Sequence, residues 1–145
     1  MSPPRARTSI VLTKNPLDVA EILSLLSDPL SGGVSVFIGR VRNDPRPKGA
    51  VPATGDTVLQ YEAYRPLALR ELQKIARSAE ERYGARAIVI RHRTGRLRTG
   101  EASVIIAVAT PHRKEAFAAC RFIIDRLKKE VPIWKTFESN RDFRT

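Results

Sequence analysis

The fold of this chain is decided by the stretch Ser103-Val104-Ile105-Ile106-Ala107-Val108-Ala109, which is followed at once by Thr110-Pro111. Because the run is continuously apolar and carries no charge, it is typical of a central strand covered on both faces. Thr110 then fits an N-cap and Pro111 the first position of a helix. This helix is expected to run to about Glu130 and to end before Pro132. Its inner face is predicted to carry Phe117, Cys120, Ile124 and Leu127.

Upstream of this strand and helix, the same kinds of pattern predict four more strands and two more helices. The strands cover residues 9–12, 34–38, 58–64 and 87–93, and the helices cover residues 16–27 and 66–83. Asn15-Pro16 is expected to begin the first helix as Thr110-Pro111 begins the last, and residues 94–100 are expected to be a polar turn. This order, with hairpin-like neighbours, predicts an α+β domain with a mainly antiparallel sheet and about three helices.

Length and composition indicate a single domain spanning residues 1–145. Of the 145 residues, 42% are hydrophobic and 28% are charged, so the chain can bury a substantial core. The polar ends at residues 1–7 and 139–145 are expected to be loose. Residues 43–56 contain three prolines and two glycines, and they are expected to form a mobile loop.

The formal net charge of +11 indicates an anionic partner. A nucleic acid, a phosphorylated small molecule and an acidic protein all fit this charge. The alternative is that many of the arginines are simply solvated and serve solubility.

The single cysteine limits the chemistry that the chain can carry. Cys120 cannot form a disulfide within the chain, and no Cys/His spacing of a zinc site is present, so no metal site is expected. We interpret Cys120 as a small core residue, since no base lies near it in the sequence. A reduced thiol fits the cytoplasm, and neither a signal peptide nor a membrane-spanning segment is expected.

The strongest candidate site lies in the run Leu127-Lys128-Lys129-Glu130-Val131-Pro132-Ile133-Trp134-Lys135. Lys128 falls at the predicted helix end, on the border of the apolar stripe, and Lys135 falls just past the proline break. Two ammonium groups, one from the helix end and one from the segment after the proline, can therefore lie near one spot. There they can act as anion ligands or proton donors. The alternative for Lys128 is that it extends along the helix surface to reach water. Trp134 is more typical of a core anchor than of a ring that stacks on a substrate.

The helix start at Pro111-His112-Arg113 is a second candidate. Backbone N–H groups in a first helical turn lack partners within the helix and favour anions. Arg113 adds a bidentate fork for phosphate or carboxylate, and His112 can move a proton near neutral pH. A solvated first turn explains the same residues without a function.

A third candidate is Gly39-Arg40-Val41-Arg42-Asn43, which follows a predicted buried strand. In an extended segment Arg40 and Arg42 point to one side and Val41 to the other, and two guanidinium groups on one side suit a phosphate or a terminal carboxylate. A basic edge strand protected against aggregation explains them equally well. His92, which lies between two arginines on a predicted strand, is interpreted as structural.

Taken in order, these motifs resemble the family of the catalytic (large) subunit of molybdopterin synthase. The resemblance is carried by Phe37-Ile38-Gly39-Arg40-Val41-Arg42-Asn43, Tyr61-Glu62-Ala63-Tyr64, His92-Arg93-Thr94-Gly95, Gly100-Glu101, Pro111-His112-Arg113, Ala116-Phe117, and Leu127-Lys128 with Pro132-Ile133-Trp134-Lys135. Together they extend over about residues 8–138. Each motif alone is weak, whereas their order and spacing are specific.

The resemblance implies an α/β hammerhead fold and a sulfurtransferase that converts cyclic pyranopterin monophosphate to molybdopterin by building its dithiolene. Sulfur is implied to arrive as a thiocarboxylate on the C-terminal Gly-Gly tail of a small ubiquitin-like sulfur-carrier subunit. Two large subunits are implied to form a homodimer within a heterotetramer, and no metal or other cofactor is implied. Both ligands are anionic, in agreement with the positive charge of the chain.

The resemblance also implies roles for individual residues. Lys128 would act as a proton donor or acceptor, or would stabilise the acyl intermediate of the carrier, and Lys135 would lie beside the carrier tail and the substrate. The substrate phosphate and pterin would be bound by Arg40, Val41, Arg42, His112 and Arg113. Lys135-Thr136-Phe137 would shape the tunnel for the carrier tail. Phe137 departs from the family pattern, which commonly has an acidic residue there.

Two alternatives to this function remain open at the level of the sequence. A basic nucleic-acid-binding module without catalysis needs exposed aromatic rings among basic residues. Only 6% of the residues are aromatic, and Tyr61, Tyr83 and Phe117 fall at core-like positions, which argues against that alternative. A scaffold that binds a ubiquitin-like tail without chemistry would not need the lysine pair.

Overall fold

The computed structural model describes residues 5–43 and 57–137. Its elements, in chain order, are β1 (Arg7–Thr13), α1 (Val19–Ser24), β2 (Gly33–Arg40), β3 (Val58–Ala63), α2 (Arg65–Tyr83), β4 (Ala87–Arg93), β5 (Gly95–Arg98), β6 (Ala102–Thr110), α3 (Arg113–Glu130) and β7 (Ile133–Phe137). The predictions of a mobile loop over residues 43–56 and of loose ends over residues 1–7 and 139–145 fall almost entirely outside the described residues. At the N-terminal end, β1 already begins at Arg7.

The strands form two sheets. The larger sheet has the order β1-β4-β6-β2, and only the β1–β4 pair in it is parallel. The smaller sheet has the order β5-β3-β7 and is antiparallel throughout. The predicted α+β architecture with three helices and a mainly antiparallel sheet is therefore confirmed.

Strand β6 lies inside the larger sheet and is covered on both faces, as its sequence predicts. On one face Val104, Ile106 and Val108 join the core beneath α2 and α3. On the other face Ile105, Ala107 and Ala109 pack with Ile22 and Leu26, which lie in and just after α1. An apolar run without alternation is the expected result, because neither face meets water.

The inner face of α3 is predicted correctly except at one position. Cys120, Ile124 and Leu127 are buried, whereas the side chain of Phe117 is 66% exposed. Phe117 lies on the same side of the helix as the exposed Arg113 and Arg121, four residues before and after it, and therefore falls outside the buried stripe. Its exposure corrects the prediction that it lies on the inner face.

Both predicted helix starts are displaced toward the C-terminus. Helix α1 begins after Asp18, whose side chain accepts hydrogen bonds from the backbone N–H groups of Ala20 and Glu21. Asn15-Pro16 therefore precedes the helix, and Asp18, another preferred N-cap residue, caps it instead. Helix α3 has His112 as its N-cap, and the hydroxyl of Thr110 donates to the carbonyl of His112.

Two strands of the smaller sheet are absent from the prediction. Residues 94–100 were expected to be a turn, but Gly95–Arg98 forms β5 and pairs with β3. Gly95 and Gly100 have φ angles of 92° and 89°, which glycine adopts readily, so the glycines mark the two ends of a short strand. Strand β7 follows Pro132 directly and pairs with the other edge of β3.

An ion pair beside the loop after α1 makes the stability of the fold dependent on pH. Arg86 Nε donates to Asp28 Oδ2 at 2.5 Å, and Ser31 Oγ donates to the same oxygen at 2.6 Å. The hydrogen bond from Arg86, followed by that from Ser31, lowers the pKa of the Asp28 carboxyl below 3.8. Its stabilising contribution is therefore present above the ordinary pKa and is lost as the pH falls through the lowered value.

We expect Asp28→Asn to be less stable than the parent at neutral pH, with a difference that shrinks as the pH is lowered below 3.8. Urea unfolding across this range measures the effect. The control is Glu71→Gln, which breaks an exposed pair with Lys74 at 3.4 Å and is expected to change stability little. A difference for Asp28→Asn that is constant with pH would contradict the assignment.

Candidate active site

The end of α3 and the strands β3, β4, β6 and β7 enclose a pocket of about 280 Å³. Its wall contains two lysines, Lys128 and Lys135, and three aromatic rings, those of Tyr61, His92 and Trp134. The rest of the described lining is aliphatic apart from the hydroxyl of Ser103 and contains no carboxylate. The pocket therefore favours an anionic guest with an apolar or planar part.

Lys128 reaches the pocket because it lies in the last turn of α3, on the border of the buried face. Ile124 and Leu127 are buried and line the pocket beneath it, whereas Lys128 is exposed. This is the placement that the sequence predicts. A cation in the last turn also interacts favourably with the C-terminal end of the helix dipole.

Lys135 enters the pocket from a different backbone. Helix α3 ends at Glu130, the N–H of the C-cap Val131 donates to Leu127 O at 3.2 Å, and Pro132 prevents the helix from continuing. The turn is held by the N–H of Tyr64, which donates to Pro132 O at 3.2 Å. Strand β7 then pairs with β3 and places Lys135 opposite Tyr61. The structure thus brings the two lysines together across the proline break.

Trp134 lies at the rim of the pocket and does not anchor the core. Its side chain is 47% exposed, and its Nε1 donates to Glu62 Oε2 at 3.1 Å across the β3–β7 pair. The expectation that Trp134 is a core anchor is therefore wrong. The reason is that β7 is an edge strand with one face open to solvent.

His92 also lines the pocket, although its place between two arginines on a strand favours a structural role in the sequence. It is 5% exposed, and its ring lies edge-on to that of Tyr61 with 5.3 Å between the centroids. Burial lowers the pKa of His92, and the positive charge of Lys128 lowers it further, against the opposing effect of a hydrogen bond to Arg93 O. The signal in the sequence is alternation along β4, since Ile88 and Ile90 on the same face belong to the core beneath α2 and α3.

Arg40, Val41 and Arg42 lie at the same end of the larger sheet as the pocket but do not line it. Strand β2 runs antiparallel to β6, so that Arg40 is opposite Ala102. Arg40 Nε donates to Gly100 O at 3.1 Å, and Arg42 is exposed. The side chain of Val41 is buried in a small cluster with Leu59 and Leu97, so it supports the segment that presents the two arginines.

His112 and Arg113 lie at the opposite end of the molecule from Lys128. Both are exposed, His112 as the N-cap and Arg113 as the first residue of α3. At a rise of 1.5 Å per residue, the fifteen residues from Arg113 to Lys128 separate the two positions by about 22 Å. One copy of the chain therefore does not bring His112 and Arg113 to the lysine pocket.

Thr136 and Phe137 continue β7 beyond the pocket. They pair with Gln60 and Leu59, and both are exposed at the edge of the smaller sheet. Neither residue belongs to the lining of the pocket, which on β7 ends at Lys135.

Two further observations concern residues 5–43 and 57–137 alone. In these ranges, no group of three or more His, Cys, Asp or Glu side chains is placed to hold a metal ion. None of the helices there combines the length and the apolar character needed to cross a membrane.

Comparison with known proteins places the chain in a family. A model of the family described as MoaE protein matches residues 12–130. A curated relative from Nostoc sp., named "Molybdopterin synthase catalytic subunit", is 44% identical over 133 residues, which are 91% of this chain and 77% of the relative. A relative from Mycobacterium tuberculosis, named "Molybdopterin synthase catalytic subunit 1", is 42% identical over 86% of this chain and 80% of its own length.

Solved structures give the same result. A crystal structure of molybdopterin synthase from Staphylococcus aureus matches with a TM-score of 0.77 and 34% identity, over 88% of both chains. A complex of subunits 1 and 2 of the molybdopterin-converting factor from Helicobacter pylori matches with a TM-score of 0.68 and 22% identity, over 90% of this chain and 83% of that chain. At that identity the second match shows the shared fold alone.

Proposed function

The chain belongs to the MoaE family, and from this premise we propose that it converts cyclic pyranopterin monophosphate to molybdopterin, with the Lys128–Lys135 pocket as the site of sulfur transfer. The observation that carries the proposal is the convergence of Lys128 and Lys135 in one pocket of about 280 Å³. The activity belongs to molybdenum cofactor biosynthesis, as the names of the relatives indicate.

The chemistry of the pocket supports this reaction. The substrate carries a phosphate and the sulfur donor carries a thiocarboxylate, so two anionic ligands must be held close together. Two ammonium groups facing a lining without carboxylates compensate those charges. The sulfur comes from the carrier, so the buried thiol of Cys120 has no part to play.

Lys128 and Lys135 have different parts in this proposal. Lys128, at the end of a rigid helix, serves as the proton donor or acceptor during attack on the substrate, or stabilises the acyl intermediate of the carrier. Lys135 lies on the edge strand that leads away from the pocket through Thr136 and Phe137. We assign these three residues to the passage for the Gly-Gly tail of the small sulfur-carrier subunit.

The remaining predicted binding residues fall into two groups, of which only His112 and Arg113 require a second copy of the chain. Arg40 and Arg42, presented by Val41, are near enough to the pocket end of the sheet to bind the substrate phosphate. His112 and Arg113 lie about 22 Å from Lys128 within one chain, so they contribute to a pocket only across an interface between two copies. We therefore propose a homodimer that binds two carriers as a heterotetramer.

An exposed apolar surface supports an interface of this kind. Strand β2 is the last strand of the larger sheet, and Val34, Phe37 and Ile38 on it are all more than one third exposed. Phe117 of α3 adds a ring that is 66% exposed. Large exposed apolar patches mark protein–protein contacts. The Helicobacter pylori structure of the same fold is itself a complex of two subunits of the molybdopterin-converting factor.

A nucleic-acid-binding module without catalysis is not favoured. Tyr61 packs edge-on to His92, and Tyr83 packs in the same way on Phe122 at 5.7 Å, so neither ring is displayed as a stacking platform. A single domain over residues 1–145 and a cytoplasmic location remain predictions. The second is supported by the single cysteine, which is reduced and buried.

Reconstitution tests the proposed function. Purified chain is incubated with the precursor and a carrier that ends in a Gly-Gly thiocarboxylate, and the dithiolene product is detected by mass spectrometry. We expect product to form as thiocarboxylate is consumed, and no product with a carrier that ends in an ordinary carboxylate. Absence of product with intact thiocarboxylated carrier, or steeply salt-dependent binding of RNA instead, contradicts the proposal.

A further inference from the structure

Strand β4 carries a buried imidazole to the wall of the lysine pocket, and the proposed chemistry gives it no part. His92 continues the face of β4 on which Ile88 and Ile90 belong to the core. An aliphatic residue would fill this position without the cost of removing two ring nitrogens from water. The imidazole therefore requires an explanation beyond packing.

The hydrogen bonds of the ring define its state. Nδ1 lies 2.7 Å from Arg93 O, and since a carbonyl can only accept, Nδ1 carries a proton. Burial, together with the charge of Lys128, keeps the pKa of His92 below its ordinary value of 6.5. The ring is therefore neutral at neutral pH, and its Nε2 has a lone pair that can accept a hydrogen bond.

The surroundings of the ring contain two cations that can donate a hydrogen bond. From α3 and β7 the charged groups at the pocket are Lys128 and Lys135, and from β3 the titratable group is the phenol of Tyr61. Strand β6 supplies the hydroxyl of Ser103, which donates to Gly39 O at 3.3 Å, and β1 places the apolar Leu12 opposite His92. On β4 itself the neighbouring Arg93 is paired with Glu101.

We propose that His92 is a positioning residue for Lys128, whose ammonium donates to the neutral Nε2 directly or through one water and is thereby held toward the reacting groups. The inference rests on the proposed function for its catalytic consequence. The edge-on contact with Tyr61 and the hydrogen bond to Arg93 O fix the plane of the ring, so the direction of the lone pair is fixed as well.

A positioning role for His92 makes kcat depend on pH below neutrality. As the pH falls through the lowered pKa of His92, the ring gains a proton at Nε2, loses its acceptor and becomes a second cation beside Lys128. We expect kcat to fall over this range with little change in KM. His92→Gln retains a hydrogen-bond acceptor that does not titrate. It should therefore keep most of the activity, and its kcat should no longer fall at acid pH.

His92→Phe keeps a ring against Tyr61 but has no acceptor. We expect kcat to fall about tenfold to a hundredfold, because a displaced catalytic group costs up to about a hundredfold. Steady-state turnover of precursor and thiocarboxylated carrier measures kcat and KM for both variants between pH 5 and 8, about the range over which histidine titrates. If His92→Phe has the kcat of the parent and the same fall of kcat at acid pH, the proposal is wrong.

NMR titration tests the coupling without turnover, and it remains available if His92→Phe does not fold. The full chain contains two histidines, so the ring signals of His92 have to be distinguished only from those of the exposed His112. Lys128→Ala should raise the pKa of His92, while Lys129→Ala, which changes the neighbouring exposed charge, should move it less. If Lys128→Ala abolishes turnover but leaves the pKa of His92 unchanged, the positioning role is wrong and the proposed function stands.

Discussion

Lys128→Ala is expected to lower the turnover of precursor and thiocarboxylated carrier by about a hundredfold to ten-thousandfold, the range that a positioned proton donor or acceptor contributes. Lys128 lines the pocket from the last turn of α3, and an alanine there leaves no group that can transfer a proton or compensate a negative charge from that position. The rate of dithiolene formation in a single turnover measures the effect directly.

The loss should be one of chemistry and not of folding. Lys128 is exposed and alanine is the most favourable helix residue, so unfolding in urea should change by less than about 0.5 kcal/mol. Lys129→Ala removes the same charge one residue further along the same helix, outside the lining of the pocket, and should turn over normally. Near-normal turnover in Lys128→Ala would remove Lys128 from the mechanism.

Ile106→Ala is expected to lower the free energy of unfolding by about 2–5 kcal/mol, the cost of a cavity in a well-packed core. Ile106 is fully buried in β6 and belongs to the core beneath α2 and α3. Neighbouring strands are hydrogen-bonded to β6 on both sides, so the backbone cannot move in to fill the space. Denaturation in urea with circular dichroism detection gives the value.

A control for Ile106→Ala is Leu30→Ala, at a leucine that is 64% exposed, where the change should lie within about 0.5 kcal/mol. Ile106→Val, which removes one methylene, should fall between the two at about 0.5–1.5 kcal/mol. Equal losses in Ile106→Ala and Leu30→Ala would contradict the central position assigned to β6.

The parts of the fold that could be predicted are those whose pattern is local. The apolar run of β6 and the stripe of α3 are patterns within one element. The break that separates Lys128 from Lys135 is predicted by Pro132 alone. Strands β5 and β7 could not be predicted in this way, because each is short and lies at an edge of the smaller sheet. Their conformation depends on pairing with β3, which is a tertiary contact.

The same distinction between local patterns and tertiary contacts applies to the candidate site. The lysine pair could be predicted, whereas the position of His92 in the pocket depends on which face of β4 meets α3. The separation of His112 and Arg113 from Lys128 could have been derived, since one uninterrupted helix of eighteen residues joins them. The length of that helix keeps the two basic motifs apart within one chain.

The pairing of β3 has a consequence for the order in which the molecule folds. Strand β7, which carries Lys135, is joined to β3 across a sequence separation of 72 residues, as in the contact between Trp134 and Glu62. Closing so long a loop costs chain entropy before any contact compensates it, so such pairings form late. The pocket is thus completed only when β7 has paired with β3, and a nascent chain holds Lys128 before it holds a site.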